Sequence, residues 1–149
     1  MQMNSEITIG THGGTFHTGE VLACVILKLI PEFENAEIIR TTDPEELSKL
    51  DVLVDVGEVF DHENKRYDHH QKTFNQTMAS ISEHQYNYDT KLSSAGLVYF
   101  FYGKQMIRRI LSLEEEKDEE QIEYVFCQLY EAWIQGEHRS LTLIVLDFS

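Results

Sequence analysis

The sequence predicts one α/β domain built on a parallel sheet with helical crossovers. Predicted strands and helices alternate along the first 56 residues. The strands are residues 6–10, 36–40 and 51–56, and the helices run from Glu20 to about Pro31 and over residues 44–50. Strands that alternate with helices in this way become parallel neighbours in one sheet. A chain of 149 residues, 42% of them hydrophobic and 26% charged, suits a single domain with its own core.

Helix boundaries in this part follow from local chemistry. Apolar residues recur at helical spacing in the first helix, and we expect them to face the core: Val21, Leu22, Val25, Ile26 and Leu29. Pro31 ends that helix. Asp43 before Pro44 predicts an N-cap followed by a proline in the first helical turn.

The second half of the chain departs from this alternation. Residues 59–62 and 66–69 predict a small hairpin, and 71–89 read as a long polar loop with a short turn. Two helices follow, at about 93–111 and 119–134. The apolar stripe expected on the last helix is Ile122, Val125, Phe126, Leu129 and Trp133. Residues 141–146 resemble a further strand.

Composition narrows the classes of function. A formal charge of −14 makes the bare chain a poor binder of nucleic acid, so bound metal would have to offset the charge if phosphate is the substrate. No apolar run approaches the roughly 18 residues of a membrane span. Cys24 and Cys127 are too few and too far apart for a disulfide framework, and their apolar neighbours predict buried free thiols in a reducing compartment.

Five metal-binding side chains are expected at one edge of the sheet. His12 and His17 follow the first strand, Asp55 ends the third, and His69 and His70 come shortly after it. In parallel sheets, ligands bind beyond the carboxyl ends of the strands. Imidazole nitrogens with carboxylate oxygens suit manganese, zinc, iron or cobalt, and magnesium less well.

Any one of these residues alone predicts little, because a single histidine after a strand is more often a hydrogen-bonded loop residue. Their conjunction favours a metal site in which two ions would activate a phosphoryl group. Asp68 is expected to orient His69 or His70 by a hydrogen bond. His62 and His84 are interpreted as plain surface histidines.

Several segments resemble one known family. They are residues 9–17, 20–24, 40–41, 54–57, the Arg66-Tyr67-Asp68-His69-His70-Gln71 stretch and 91–99. These resemble, in order, the melanocyte-proliferating-gene (Myg-type) exonucleases. That family is related to the DHH phosphoesterase superfamily of RecJ-like nucleases and family II pyrophosphatases. The resemblance covers residues 7 to about 134, which we therefore interpret as a domain (1–134) similar to the N-terminal domain of DHH phosphoesterases.

The resemblance implies a 3′-5′ exonuclease that uses manganese or magnesium on single-stranded RNA or another phosphodiester. It implies that His12 and His17 hold one metal, that Asp55 bridges two, and that His69 holds the second. His70 would face the scissile phosphate, with Asp68 beside it. It also implies nuclear and mitochondrial location, although the absence of a transit peptide in this chain favours the nucleus or cytoplasm.

Two departures from the family pattern lower the expected activity. Gly19 stands where the family has an aspartate ligand of the second metal. After Ile134 the family continues with an Asp-Asn-Gly metal motif and a further domain, whereas residues 135–149 diverge. We interpret this tail as a truncation or splice product, or alternatively as a true edge strand. Impaired phosphodiesterase, small-molecule phosphohydrolase, and inactive metal- or partner-binding fragment all stay open, and the sequence does not specify an oligomeric state.

Overall fold

The computed structural model describes residues 6–135 and contains a five-stranded sheet with helices packed against it. The strands are β1 (Thr8–Thr11), β2 (Glu37–Arg40), β3 (Val52–Val54), β4 (Phe60–Asp61) and β5 (Arg66–Tyr67). Their order in the sheet is β2-β1-β3-β5-β4, and every neighbouring pair is parallel except β4–β5. The predicted α/β class with a parallel sheet is confirmed, and the predicted hairpin supplies the antiparallel edge.

The helices are α1 (Thr18–Lys28), α2 (Pro44–Leu47), α3 (Met78–Ile81), α4 (Ser94–Leu111) and α5 (Glu119–Leu129), and a π-helix (Tyr130–Ile134) continues α5. The side chain of Asp43 accepts a hydrogen bond of 2.8 Å from the backbone N–H of Glu45, which confirms the predicted cap. α1 and α2 are the crossovers that make β1, β2 and β3 parallel. The strand expected at 141–146 lies outside the described residues.

α4 is the central helix of the core, because it packs against α1, α5 and the sheet. Its first turn is deeply buried: Ser94 is 0% exposed, and so is Ala95. The side chain of Ser93 caps the helix by accepting a hydrogen bond of 3.1 Å from the N–H of Gly96. Since this turn lies under the carboxyl end of β3, the core fixes one wall of the candidate site.

The buried face of α1 differs from the prediction. Its buried residues are Glu20, Ala23, Cys24, Ile26 and Leu27. Val21 and Val25 are 42% and 48% exposed, although both were expected in the core. Residues 21–27 are apolar without interruption, so spacing alone could not select which face of the helix packs on the sheet.

The last helix also departs from the prediction at its C-terminal end. Trp133, expected on the apolar stripe, is 62% exposed, whereas Tyr130 and Ile134 are buried. The π-helical turn is wider than an α-helical turn, so residues four apart stay on one face. The buried row therefore runs through Phe126, Tyr130 and Ile134 rather than toward Trp133.

Both cysteines within the described part of the chain are free thiols, as predicted. Cys24 is buried, and burial, reinforced by the nearby Glu20 carboxylate, raises its pKa to about 11. Cys127 is only half-buried, although both thiols were expected to be buried. Across residues 6–135, no helix is both long and apolar enough to cross a membrane.

Candidate metal centre

The carboxyl ends of β1, β3 and β5 bring the predicted side chains together at one edge of the sheet. His12 follows β1, Asp55 follows β3, and the Asp68-His69-His70 segment follows β5. Asp55 has a φ of 58°, and its backbone N–H donates to the carbonyl of Tyr67 at 3.0 Å. Aspartate tolerates this left-handed conformation better than most residues, and such backbone strain concentrates at functional sites.

Two groups of side chains could hold a metal ion. The first is His12, His17, Glu20 and Asp55, and the second is Asp55, Asp68, His69 and His70. Within each group, one ligand atom from every residue lies within 4.8 Å of the others. Asp55 belongs to both groups, so it is the residue common to the two candidate positions.

Asp55 is held ionised by its neighbours. Its carboxylate is buried, and Oδ1 accepts a hydrogen bond of 3.0 Å from the Ser94 hydroxyl and lies 3.2 Å from Nε2 of His69. Burial opposes ionisation and is the largest single influence. The hydrogen bonds from His69 and Ser94, together with the charges of His70 and His69, outweigh it and lower the pKa of Asp55 below its ordinary value. A buried carboxylate held as an anion is a ready metal ligand.

In the first group, electron-pair donors face one another. Nδ1 of His12 donates to the carbonyl of Gly13 at 2.9 Å, which leaves the lone pair of the neutral ring on Nε2. Nε2 contacts Oε2 of Glu20 and lies 3.5 Å from Oδ2 of Asp55. Neither Nε2 nor Oε2 of Glu20 has a hydrogen-bond partner, and both atoms are buried. Buried donors in this arrangement fit a divalent cation.

His17 completes the first group from the solvent side. It is exposed, and its ring centroid lies 5.0 Å from that of His12. The loop from residue 12 to 17 therefore presents one half-buried and one exposed imidazole. With an exposed side chain in this group, a bound cation would be accessible from the surface.

Glu20 was missed by sequence reasoning. It is 1% exposed, and its Oε1 accepts a hydrogen bond of 2.7 Å from Arg40 at the end of β2. The signal was present, because Glu20 lies four and seven residues before the buried Cys24 and Leu27 and thus shares their face of α1. Because the wrong face of α1 was predicted to be buried, Glu20 was expected to point away from the sheet.

The second group is already satisfied by its own hydrogen bonds. Oδ2 of Asp68 accepts from the backbone N–H of Glu58 at 2.7 Å, and Oδ1 accepts from the N–H of His69 at 2.8 Å. Nδ1 of His70 donates to the same Oδ1 at 2.6 Å. Asp68 is 1% exposed and the His70 side chain 53%, so a buried carboxylate orients an accessible imidazole. The expected contact from Asp68 to a neighbouring histidine is present, and it goes to His70.

Three other positions bear on the predictions. Gly19 has no side chain to offer, so α1 adds only Glu20 to the site. His62 lies outside both groups; its exposed ring stacks on Phe101 at a centroid distance of 3.6 Å, so it is more firmly packed than a plain surface histidine. His84 is exposed, as expected, and has a φ of 67°.

An apolar cavity of about 340 Å³ adjoins the first group, between α1 and β2. Its lining includes Glu20 of the first group and Arg40, which binds Glu20. Phe16, 68% exposed, lies at its mouth with the Arg40 guanidinium 3.9 Å from the centre of its ring. Arg40 also donates to the carbonyl of Gly14 at 3.2 Å. Arg40 therefore ties the loop between His12 and His17 to the edge strand.

The fold and the site define an α/β protein with a candidate centre for divalent metal. Comparison with known sequences makes this specific: the model of the MYG1 exonuclease family, described as an uncharacterised protein family (UPF0160), matches residues 8–137. The chain belongs to this family, and the resemblance noted in the sequence is confirmed.

The relatives extend well beyond the matched part. The MYG1 exonuclease of Mus musculus is 46% identical over 127 residues, which are 85% of this chain and 33% of the mouse protein. The MYG1 exonuclease of Homo sapiens is 45% identical, with the same coverage. A MYG1 protein of Saccharomyces cerevisiae is 35% identical over 138 residues, or 91% of this chain and 38% of the yeast protein. The chain thus spans about a third of the length of these curated relatives, and no solved structure matches it significantly.

Proposed function

We propose that this chain carries the metal centre of a metal-dependent phosphodiesterase that acts on single-stranded RNA or another phosphodiester, from the 3′ end. The observation that carries the proposal is the Asp55 carboxylate, which is common to two groups of potential metal ligands. Two adjacent ions are a recurring arrangement in enzymes that cleave phosphodiesters. The mouse and human relatives are named exonucleases, which supports the same class of reaction.

The proposed ligands are His12, His17 and Asp55 for one ion, with Asp55 and His69 for the other. Bound ions would neutralise phosphate charge, polarise the phosphoryl group and lower the pKa of bound water. Manganese or magnesium would serve, and the imidazole donors favour manganese. The formal charge of −14 makes such compensation necessary before a polyanion can approach.

His70 is the group that the chain itself offers for proton transfer. Its Nδ1–H is held by the buried Asp68 carboxylate at 2.6 Å, which leaves Nε2 as the free nitrogen of a half-exposed ring. A histidine held in one orientation is suited to stabilise charge on a phosphate oxygen or to protonate the leaving oxygen. Asp68 acts as its positioning residue.

We also propose that turnover by this chain is slow. Gly19 supplies no carboxylate to the second group, and the oxygens of Asp68 are engaged by the hydrogen bonds described above. The second ion is therefore held by fewer available donors than the first. Since a catalytic metal supplies several kcal/mol of transition-state stabilisation, weak occupancy of that position costs orders of magnitude in rate.

The test is cleavage of a 5′-labelled single-stranded RNA by the full chain, with and without manganese. We expect slow, manganese-dependent shortening from the 3′ end, and loss of that activity in His70→Asn. His84→Asn is the matched control, since His84 is exposed and asparagine tolerates its positive φ. Equal cleavage by His70→Asn and the unaltered chain would contradict the proposal. Phosphate release from a small phosphomonoester without RNA cleavage would favour a small-molecule phosphohydrolase instead.

A further inference from the structure

We infer that Glu20 is an additional ligand of the first cation, with one carboxylate oxygen on the metal and the other held by Arg40. This rests on the proposed metal centre and adds a ligand to those that were predicted from the sequence. The first position would then have four protein donors: His12, His17, Glu20 and Asp55.

The two oxygens of Glu20 are in different environments. Oε1 accepts a charge-assisted hydrogen bond of 2.7 Å from Arg40, which fixes the plane of the carboxylate. Oε2 is buried, has no hydrogen-bond partner and contacts Nε2 of His12. A carboxylate that is 1% exposed with one oxygen unsatisfied is costly unless a cation or a hydrogen-bond donor compensates it.

When the His12 ring is neutral, the neighbours of Oε2 cannot provide that compensation. Nδ1 of that ring donates its proton to the carbonyl of Gly13, so Nε2 carries the lone pair. Oδ2 of Asp55, 3.5 Å from the same Nε2, is a carboxylate oxygen and is therefore also an acceptor. Three buried acceptors therefore converge from β1, α1 and β3, and a divalent cation is the partner that satisfies all three at once.

Arg40 is the positioning residue of this arrangement. Besides Glu20 it binds the carbonyl of Gly14 and covers the ring of Phe16. Gly14 and Phe16 lie in the loop that carries His12 and His17. A single guanidinium thus fixes both the carboxylate and the histidine loop, so the geometry of the first position is set before metal binds.

The ligand set also predicts which metal is preferred. Two imidazoles and two carboxylates neutralise a divalent cation and offer two nitrogen donors. Magnesium takes oxygen ligands and retains several waters, whereas manganese, iron and zinc accept imidazole. We expect the first position to bind manganese at least about tenfold more tightly than magnesium.

Glu20→Gln is the decisive variant, because it separates metal binding from stability. The glutamine carbonyl can still accept from Arg40, while its NH₂ group can donate to Nε2 of His12. Without metal, we expect a melting temperature equal to or above that of the unaltered chain. Calorimetric titration should show manganese binding weakened by about tenfold or more, and the manganese-induced rise in melting temperature should largely disappear.

Glu34→Gln is the control, since Glu34 pairs with Arg109 at an exposed site away from the metal centre. It should leave manganese binding unchanged. If Glu20 had a purely structural role, Glu20→Gln would lower the melting temperature of the metal-free protein and leave the manganese affinity unchanged. That pattern would overturn the inference.

Glu20→Asp keeps the test decisive if the glutamine variant does not fold. It preserves the charge but withdraws the carboxylate by one methylene group, so manganese should bind several-fold more weakly. Unchanged affinity in Glu20→Asp would also overturn the inference. Failure of the unaltered chain to bind manganese would instead reject the metal centre as a whole, while binding without RNA cleavage would reject only the proposed reaction.

Discussion

The two ligand groups that share Asp55 are built in different ways. In the first, buried acceptors on His12 and Glu20 face one another and have no hydrogen-bond partner. In the second, the Asp68 carboxylate is satisfied by backbone N–H groups and by His70. The first group is therefore the one in which a bound cation would satisfy unpaired atoms, whereas the Asp68 carboxylate of the second is already satisfied by hydrogen bonds.

This difference implies different roles for the two groups. Buried acceptor atoms without a hydrogen-bond partner destabilise the metal-free protein. An ion that binds them removes this desolvation penalty, so binding stabilises the folded protein. In the second group, an ion would have to replace existing hydrogen bonds, so its binding stabilises the protein less. We therefore expect a tight first ion and a weak second one.

Removing the shared carboxylate should have the largest effect. We expect Asp55→Asn to weaken manganese binding by at least about 100-fold, because loss of groups that merely support a ligand already costs 10–100-fold. Cleavage of RNA should fall to background. Titration calorimetry and the RNA assay check the two outcomes.

The asparagine variant is designed to preserve the fold. Asparagine tolerates the φ of 58° at this position and can still accept from Ser94. Asp89→Asn, at an exposed position, is the matched control and should bind manganese normally. Retention of one tight ion by Asp55→Asn would show that the two groups do not share a ligand.

Restoring a carboxylate beside Glu20 should make the second group more like the first. We expect Gly19→Asp to raise the number of tightly bound manganese ions from one to two, measured by calorimetry and elemental analysis. Because each ~1.4 kcal/mol is tenfold in rate, a second ion should raise RNA cleavage by about 100-fold or more.

Gly19→Asn is the control that separates the effect of a new carboxylate ligand from the effect of replacing glycine on the stability of α1. Position 19 lies in the first turn of α1, where replacing glycine alone adds stability and a negative charge adds more. Asparagine should raise the melting temperature without adding an ion. One bound ion in both variants would mean that the glycine is not the cause of the weak second position.

The sequence predicted the placement of the candidate ligands better than it predicted the packing of the helices. Strand ends could be located from apolar runs, and parallel strands place their carboxyl ends together, so His12, Asp55 and His69 converge as expected. Glu20 was not predicted because the uninterrupted apolar run of α1 hides which face is buried. Its partner Arg40 is 20 residues away, and only the pairing of β1 with β2 brings the two together.

Disturbing only the second group should have a smaller effect. In the Gly19→Asp background, Asp68→Asn should lower RNA cleavage by about 10–100-fold, because His70 loses the carboxylate that orients it. Affinity for the first ion should stay within about threefold of the background. A loss of first-ion affinity as large as that of Asp55→Asn would show that the two groups are not separable in this way.

The smallest expected effect comes from Asp51, at the opposite end of β3 from Asp55. Its Oδ2 accepts from the N–H of Thr8 at 2.8 Å and from the Thr8 hydroxyl at 2.9 Å, which joins the start of β3 to the start of β1. The backbone hydrogen bond from Thr8, then the side-chain one, lowers the pKa of Asp51. Asp51 thus resembles Asp68 in being satisfied by the protein itself, but it lies far from the ligands.

The sign of its pH dependence follows from that lowered pKa. An unfolded aspartate titrates near 3.9, so the contribution of Asp51 is fully present above about pH 4 and is lost as the pH falls through the lower folded value. Asp51→Asn should therefore lower the melting temperature by a few degrees at pH 7, at about 2–4 °C per kcal/mol, and by less at pH 3. Circular dichroism melts in chelator across this range measure the difference.

Manganese should raise the melting temperature of this variant as much as that of the unaltered chain, because no ligand has changed. An equal loss of melting temperature at pH 3 and pH 7 would mean that the contact between Asp51 and Thr8 does not depend on the charge of Asp51. A smaller response to manganese would mean that a change at one end of β3 affects Asp55 at the other end.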